Sequence, residues 1–384
     1  MTLELNRLTQ AIRQMGETLA RQEQGLDEWL RQARAWLDEF AEPADELRHA
    51  AAQANVPLPT AEPLNGVFPL PSLPARFTVI GADGSQIQPD RHAAAAYYLI
   101  NIGSLVYRHG SGEAPEARSI PDLRYLDEDL YERNRPVQGN LLDVRRDLAE
   151  ITHLADLVEQ EPPGPVLALV DGTLILWVLQ DESGEVVREK VTAYVAQLER
   201  IRARGGAVAA FASRPRRSEV GRLLHLARLG GDVERARETP NPLERIPDRL
   251  IFAALPPGSR SALFESGSAI NREFYPAPQR VLFFYVNLAA DEDEAVIARV
   301  EVPAWLTRDA DLLALTHGAI VAQSRIAGSF PYVLARADEL AYISGPERSE
   351  LAQMVETSLL AAGLVRDVSP KAYYKSLTRQ GRMG

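Results

Sequence analysis

The chain has 384 residues, enough for two domains, with a formal net charge of −11 and no cysteine. Disulfides, thiolate catalysis and cysteine-ligated zinc are excluded. The acidic balance argues against a generally adhesive nucleic-acid binder, though it leaves room for a local basic groove. Nearly all the cationic charge is arginine, with lysine only at Lys190, Lys371 and Lys375, which a GC-rich genome explains as readily as phosphate binding. The N-terminal MTLELNRLTQ has no basic flank or apolar leader stretch, and no apolar run is long enough to span a bilayer. A cytoplasmic location without membrane contact is expected.

Taken in order, residues 3–42 read as one long helix. Its seam passes through Leu5, Leu8, Ile12, Met15, Leu19, Gln22, Leu26, Trp29, Ala33, Trp36 and Phe40, a coiled-coil spacing broken only by Gln22. Gly16 and Gly25 weaken the helix interior, so this arm (residues 1–56) needs support. A second copy, a partner helix or its own domain would supply it. Residues 57–75 hold Pro57, Pro59, Pro63, Pro69, Pro71 and Pro74 and read as an extended linker.

The pattern of the whole chain centres on 77–86, FTVIGADGSQ, an apolar run ending in a small-residue turn that carries Asp83. The same construction returns at 166–173, where VLALV leads into Asp171-Gly172-Thr173. Continuous apolar runs suit strands covered on both faces, and a carboxylate at the carboxyl end of such a strand sits on the rim where α/β sheets bind ligands. Taken alone, each Asp-Gly pair is also an ordinary turn. Between them the spacing predicts strands over 93–106 and 117–125 and a helix over 139–159. That helix carries Asp143, Asp147 and Glu150 at i, i+4 and i+7, one aligned stripe that a solvated face would also show. A helix over 186–204, a strand over 207–212, the basic loop Ser213, Arg214, Arg216, Arg217 and Ser218, and a helix to 229 follow.

Residues 245–304 read as a β-rich insertion with strands at 250–255, 261–265, 280–288 and 294–302. Helices are predicted over 309–326, 332–343 (carrying Asp338) and 347–364. The tail beyond them interleaves Arg366, Lys371, Lys375, Arg379 and Arg382 with Tyr373 and Tyr374. The six histidines are scattered and form no zinc signature. His317 reads as a packed helix residue, and His92, close after Asp83, as a weak supporting candidate.

Three strands, then helix, strand, helix, strand, helix is the order of a ribonuclease-H-like fold: an α/β mixed sheet flanked by helices. Here it carries the β-rich insertion and the N-terminal helical arm, with the core spanning 76–343 and a helix and basic tail over 344–384. The motifs VIGADGSQ, ALVDGTLIL, AFASRPRRSEV and FPYVLARADELAYIS, in this order, resemble the NurA family of DNA-end-processing nucleases. The resemblance implies a ribonuclease-H-like nuclease binding Mn²⁺ or Mg²⁺. It implies a homodimer working with a hexameric HerA-type ATPase translocase, digesting DNA from the 5′ end and also cutting single strands, in double-strand-break resection. Carried over, the acids are Asp83, Asp171, the helix acid Glu150 (with Asp147 open) and Asp338, which stands where several members carry His. Those members also have a Tyr near the position of Phe330.

The chemistry agrees with that carry-over. Phosphodiester hydrolysis needs an activated water and charge compensation on the leaving oxygen, which hard divalent cations on a few carboxylates supply. Substrate-side candidates are Ser85 and Gln86 beside Asp83, the loop Ser213, Arg214, Arg216 and Arg217, and Gln323 and Arg325. Two other classes fit the same residues: a non-catalytic adaptor docked on a translocase, and a metal-dependent phosphohydrolase of nucleotides.

Overall fold

The computed structural model describes residues 5–23, 25–90, 93–291 and 294–364. The described residues fall into two compact units, one drawn from 5–70, 212–272 and 280–301, the other from 71–211, 273–279 and 302–364. No described helix is long and apolar enough to cross a membrane. His92, the basic tail beyond 364, and the side chains of Leu19 and Gln22 lie outside the described residues.

The second unit is built on β1 (Phe77–Ile87), β2 (Tyr98–His109), β3 (Glu116–Arg124), β4 (Val166–Asp171) and β5 (Ala207–Ala212). They run side by side as β5-β4-β1-β2-β3. The first three form an antiparallel meander with Asp83 opposite Gly103 and Ile102 opposite Ile120. β4 joins β1 in parallel, ending with Ala82 opposite Val170, and β5 joins β4 in parallel. Val79, Ile80 and Ala82 on β1 and Leu167, Ala168 and Leu169 on β4 are fully buried, as expected of central strands.

Helix α1 (Asn140–Gln160) buries Leu141, Leu142, Val144, Ile151, Leu154 and Val158. It packs beside α2 (Gly184–Ala203), where Arg200 bridges Asp156 and Glu159 at 2.6 and 2.7 Å. Then come α3 (Ala310–Ile326), α4 (Tyr332–Ala341) and α5 (Gly345–Ala361). α5 opens on a Ser344/Glu347 capping box and buries no residue. The mixed sheet, its strand order and its flanking helices are those of a ribonuclease-H-like fold.

Two features of this unit differ from the sequence expectation. The strand carrying Asp83 does not end there: it runs on to Ile87, because β2 pairs with it as far as Leu99. Only the parallel partner β4 stops, so Asp83 sits where one edge of β1 becomes free. Gly172, in contrast, does turn the chain, with φ of 96°.

In the first unit the expected single helix is two, Thr9–Glu23 and Leu26–Glu39, broken at left-handed Gly25 (φ 89°). Ile12 and Met15 of the first piece are exposed, as are Leu5 and Leu8 in the 3-10 turn before it. The second buries Ala33, Trp36 and Leu37 in a core shared with Leu47, Leu64, Leu223, Leu224, Phe252, Phe264 and Phe283. Leu26, Ala33, Trp36 and Phe40 of the seam thus pack intramolecularly, while Trp29 is exposed. The proline-rich segment is stitched in rather than spanning freely. Leu58–Pro59 pairs with Phe264–Glu265, Val67–Phe68 pairs with Arg260–Ser261, and Arg260 grips Glu62 with two bonds of 2.7 and 2.9 Å.

The N-terminal segment, the proline-rich stretch and most of the expected insertion therefore share one core. The strand expected at 250–255 is instead the helical turns Asp248–Ile251 and Phe252–Ala254. Asp248 explains the change: its carboxylate accepts the N–H groups of Glu219, Val220 and Gly221, the start of helix Glu219–Arg228. Tyr285 donates to it as well, at 2.9 Å.

Candidate active site

The alternation of β1 decides what meets at its middle. Odd positions face α4: a Cβ at Gly81 would come within 2.7 Å of the Val333 backbone, and Ser85 donates to the Ala341 carbonyl. Even positions face α1: a Cβ at Gly84 would stand 2.5 Å from Glu150 Oε1 and 2.8 Å from Arg146 Cγ. The two helices therefore cover opposite faces of the sheet, and glycines let each come close. On β2, Gly103 does the same for α4, where a Cβ would lie 2.2 Å from the Ala337 carbonyl oxygen. Asn101 donates to the carbonyls of Leu340 and Ala341 at 3.1 and 2.9 Å.

Four carboxylates from four elements influence one another electrostatically, Asp83 with Asp171 and Asp338 and Glu150 with Asp83 and Asp171. Asp83 comes from β1, Glu150 from α1, Asp171 from the end of β4 and Asp338 from α4. The carboxyl groups of Asp83 and Asp338 adjoin, and Asp338 helps raise Asp83. Asp83 is pushed up to about 6, first by burial and then by the charges of Asp171 and Asp338, against the pull of the Gly84 N–H at 2.9 Å. Asp171 is raised by the surrounding protein and then by Asp338. Glu150 is buried and held well above the usual carboxylate range by burial; Asp147, Asp83 and Asp171 add to the shift, and Arg146 opposes it.

Asp147 is also raised by burial, but its charged neighbours are Arg146 and Asp143, not the strand acids. Of the stripe on α1, Glu150 is thus the member electrostatically joined to Asp83 and Asp171. Arg146 was not anticipated. Its Nη2 donates to Asp147 at 3.0 Å and its Nε lies 3.2 Å from Glu150 Oε1. The signal was present in the sequence as the i, i+4 spacing of Arg146 and Glu150.

The expected substrate-side residues do not all gather here. Ser85 and Gln86 are engaged internally, Ser85 on Ala341 and Gln86 Nε2 on Asp143 Oδ1 at 2.6 Å. Gln323 is fully buried: its Oε1 accepts the Val333 N–H at 3.0 Å and its Nε2 meets His109 Nε2 at 2.8 Å. It anchors the start of α4 and has no surface to offer a phosphate, which corrects the expectation of DNA contact. Arg325 is exposed on α3. Ser213, Arg214, Arg216 and Arg217 are exposed on a loop of the other unit, and Arg217 has Glu219 3.9 Å away. His317 is buried within α3, as the sequence led one to expect. Phe330 packs edge-on against Phe211 at 5.4 Å.

The donor chemistry fits a hard dication. All four groups are carboxylates, and the repulsion that helps raise Asp83, Asp171 and Glu150 is what a bound cation would offset. As they stand, no group of three or more His, Asp or Glu side chains among the described residues is arranged as an ion cage. Glu150 is drawn to Arg146, and Asp83 is engaged with Asp338 and Gly84.

Comparison with solved structures returns the NurA nuclease from Sulfolobus solfataricus at 13% identity, covering 91% of this chain and 98% of that one, with a TM-score of 0.48. A structure of NurA bound to dAMP and manganese aligns at 11% identity over 91% of this chain and 99% of that one, with a TM-score of 0.39. Drosophila Piwi aligns at 12% identity over 70% of this chain and 30% of its own, with a TM-score of 0.29. No curated protein sequence matches. The family profile described as the NurA domain matches residues 77–343, from the first residue of β1 to just past α4. That span holds all four acids and is well over half of the chain, which therefore belongs to the NurA domain family.

Proposed function

We propose that this protein is a divalent-metal-dependent deoxyribonuclease that hydrolyses DNA phosphodiester bonds from a 5′ end and also cuts single strands. It acts as a homodimer with a HerA-type translocase in the resection of double-strand breaks. What supports the chemistry is that carboxylates on separate elements act on one another: Asp171 and Asp338 raise Asp83, and Asp83 and Asp171 raise Glu150. Family membership supports nuclease chemistry, and the acid set supports Mn²⁺ or Mg²⁺ as the ion.

Asp83, Asp171, Asp338 and Glu150 would hold the ion. When bound, it supplies an activated water and neutralises charge on the leaving oxygen. The protein's own part is positional. β1 and β4 carry Asp83 and Asp171 on adjacent strands, α4, which carries Asp338, packs closely at Gly81 and Gly103, and Arg146 Nε lies 3.2 Å from Glu150. Arg214, Arg216, Arg217, Ser213 and Arg325 are exposed cation and hydroxyl groups suited to phosphate. The test is a DNA oligonucleotide labelled at either end, incubated with Mn²⁺ and compared with a panel of nucleotides. Mononucleotide release from the 5′ label is expected. Hydrolysis of the nucleotides alone, or no cleavage with any divalent metal, would overturn the reading.

A further inference from the structure

The rim at Asp83 continues beyond the acids. β4 pairs with β1 only as far as Ala82, so from Asp83 to Ile87 one edge of β1 has no strand beside it among the described residues. On that edge the Gly84 N–H turns to Asp83 Oδ1 at 2.9 Å. Two residues on, where the backbone groups of a strand return to the same side, the Gln86 carbonyl faces the same edge. It lies about 10 Å along the strand from Asp83.

The elbow between α4 and α5 stands over this edge. Ser85 donates to the Ala341 carbonyl, which fixes the end of α4, and Arg348, in the first turn of α5, reaches the Gln86 carbonyl at 3.4 Å. Arg348 Nε points to the Ile343 carbonyl, also at 3.4 Å. Both bonds are long, on a group with five N–H donors, and among the described residues no carboxylate pairs with Arg348. Glu347 beside it accepts the Ser344 N–H at 2.7 Å instead. Tyr342 follows Asp338 by one helical turn, with its N–H on the Asp338 carbonyl at 2.9 Å, and is 68% exposed. Asp338 is exposed too, and residues four apart share a face of a helix. Neither Tyr342 nor Arg348 serves a core, since both are exposed and α5 buries no residue. An open ring and an uncompensated cation beside the acids are what a nucleic-acid strand needs: a flat face for a base and a charge for a phosphate.

We propose that Tyr342 and Arg348 hold the nucleotide next to the one being cut, Tyr342 stacking on its base and Arg348 pairing with its phosphate, in a single DNA strand laid along the open edge of β1. This rests on the nuclease reading above and names where its substrate lies. The grip is indifferent to sequence, because every base has a flat face. Arg348 lies beyond the span matched by the family profile, so family membership does not assign it.

The test is fluorescence anisotropy of a labelled single-stranded DNA on the full chain, with EDTA present so that nothing is cut. Tyr342→Ala should weaken binding about tenfold with its salt dependence unchanged, whereas Tyr342→Phe, which keeps the ring face, should bind as wild type. Arg348→Gln should weaken binding and flatten the slope of log affinity against log salt by about 0.7, the share of one phosphate contact on a single strand. Arg348→Lys should keep that slope. Both positions are exposed, so melting temperatures should stay at the wild-type value. The proposal is overturned if Tyr342→Ala or Arg348→Gln binds as wild type does, if Arg348→Gln keeps the full slope, or if Tyr342→Phe binds as weakly as Tyr342→Ala. A wild-type chain that holds no single strand overturns it as well. A chain that passes these measurements but cuts no DNA refutes the nuclease reading alone; unchanged binding by both variants of a chain that cuts refutes this one alone.

Discussion

Gly103→Ala tests whether α4 carries a group that acts in the reaction, using a residue that touches no substrate. The added Cβ would stand 2.2 Å from the Ala337 carbonyl oxygen and 2.4 Å from the Ala341 nitrogen, both backbone atoms that cannot rotate away. Ordinary contact begins near 3.4 Å, so α4 must withdraw by about 1.2 Å, and Asp338, next to Ala337, moves with it. A displacement of about 1 Å at a catalytic group costs roughly 10²-fold in rate, while overpacking costs about 1–3 kcal/mol in stability. At 20 °C, where the variant stays folded, single-turnover cleavage of labelled DNA at saturating Mn²⁺ should fall by about that factor, with the melting temperature lowered by several degrees. Gly164→Ala is the control: its Cβ meets nothing within 4 Å and its φ is not left-handed, so both readings should stay near wild type. A Gly103→Ala chain that melts lower yet cuts at the wild-type rate would show that Asp338 contributes nothing there.

The remaining predictions concern the acids and the other unit. Asp83→Asn and Asp171→Asn should each reduce Mn²⁺-dependent cleavage to background. Because these carboxylates are held up by burial and mutual repulsion, Asp83→Asn should raise rather than lower the melting temperature of the metal-free chain, and a clear drop would contradict that electrostatic account. Asp338→Ala should lose most activity, whereas Asp338→His should keep part of it and shift the preferred metal, read by titrating Mn²⁺ against Mg²⁺. Asp248, fully buried, is raised by burial from 3.8 to about 6, so the folded state holds its proton where the unfolded state has lost it. Stability from this group is therefore present at low pH and is lost as pH rises from about 4 to 6, by on the order of 3 kcal/mol. Urea midpoints of wild type and Asp248→Asn across that window should converge at the acid end and separate above it, and parallel curves would refute the assignment.

The sheet and two of its acids were legible because they are local signals. The apolar runs before Asp83 and Asp171, and the alignment of Asp143, Asp147 and Glu150, can be read within a few residues of chain. What escaped was long-range. Nothing near Trp36 says that Leu223 and Phe283 will bury it, so an intramolecular helix and a coiled-coil arm look alike. Nothing near Gln323 says that the Val333 N–H needs it. Gly84 read as a turn because Asp-Gly favours turns, whereas its role is to leave room for Glu150. The proline-rich stretch read as a linker because proline resists ladders, yet two-residue pairings at Leu58–Pro59 and Val67–Phe68 tie it in.

The docking of α4 on β1 also has a consequence for when the protein becomes active. The hydrogen bond from Ser85 to Ala341 joins residues 256 apart in sequence, and Asp338 reaches Asp83 over nearly the same span. Closing so long a loop adds little entropy beyond that of a shorter one, but such contacts form late and slowly. During synthesis the sheet and α1 can assemble with three acids in place while the fourth has yet to leave the ribosome. On the proposed acid set, a chain cut short before α4 would carry Asp83, Glu150 and Asp171 without Asp338, so cleavage would wait until α4 is made.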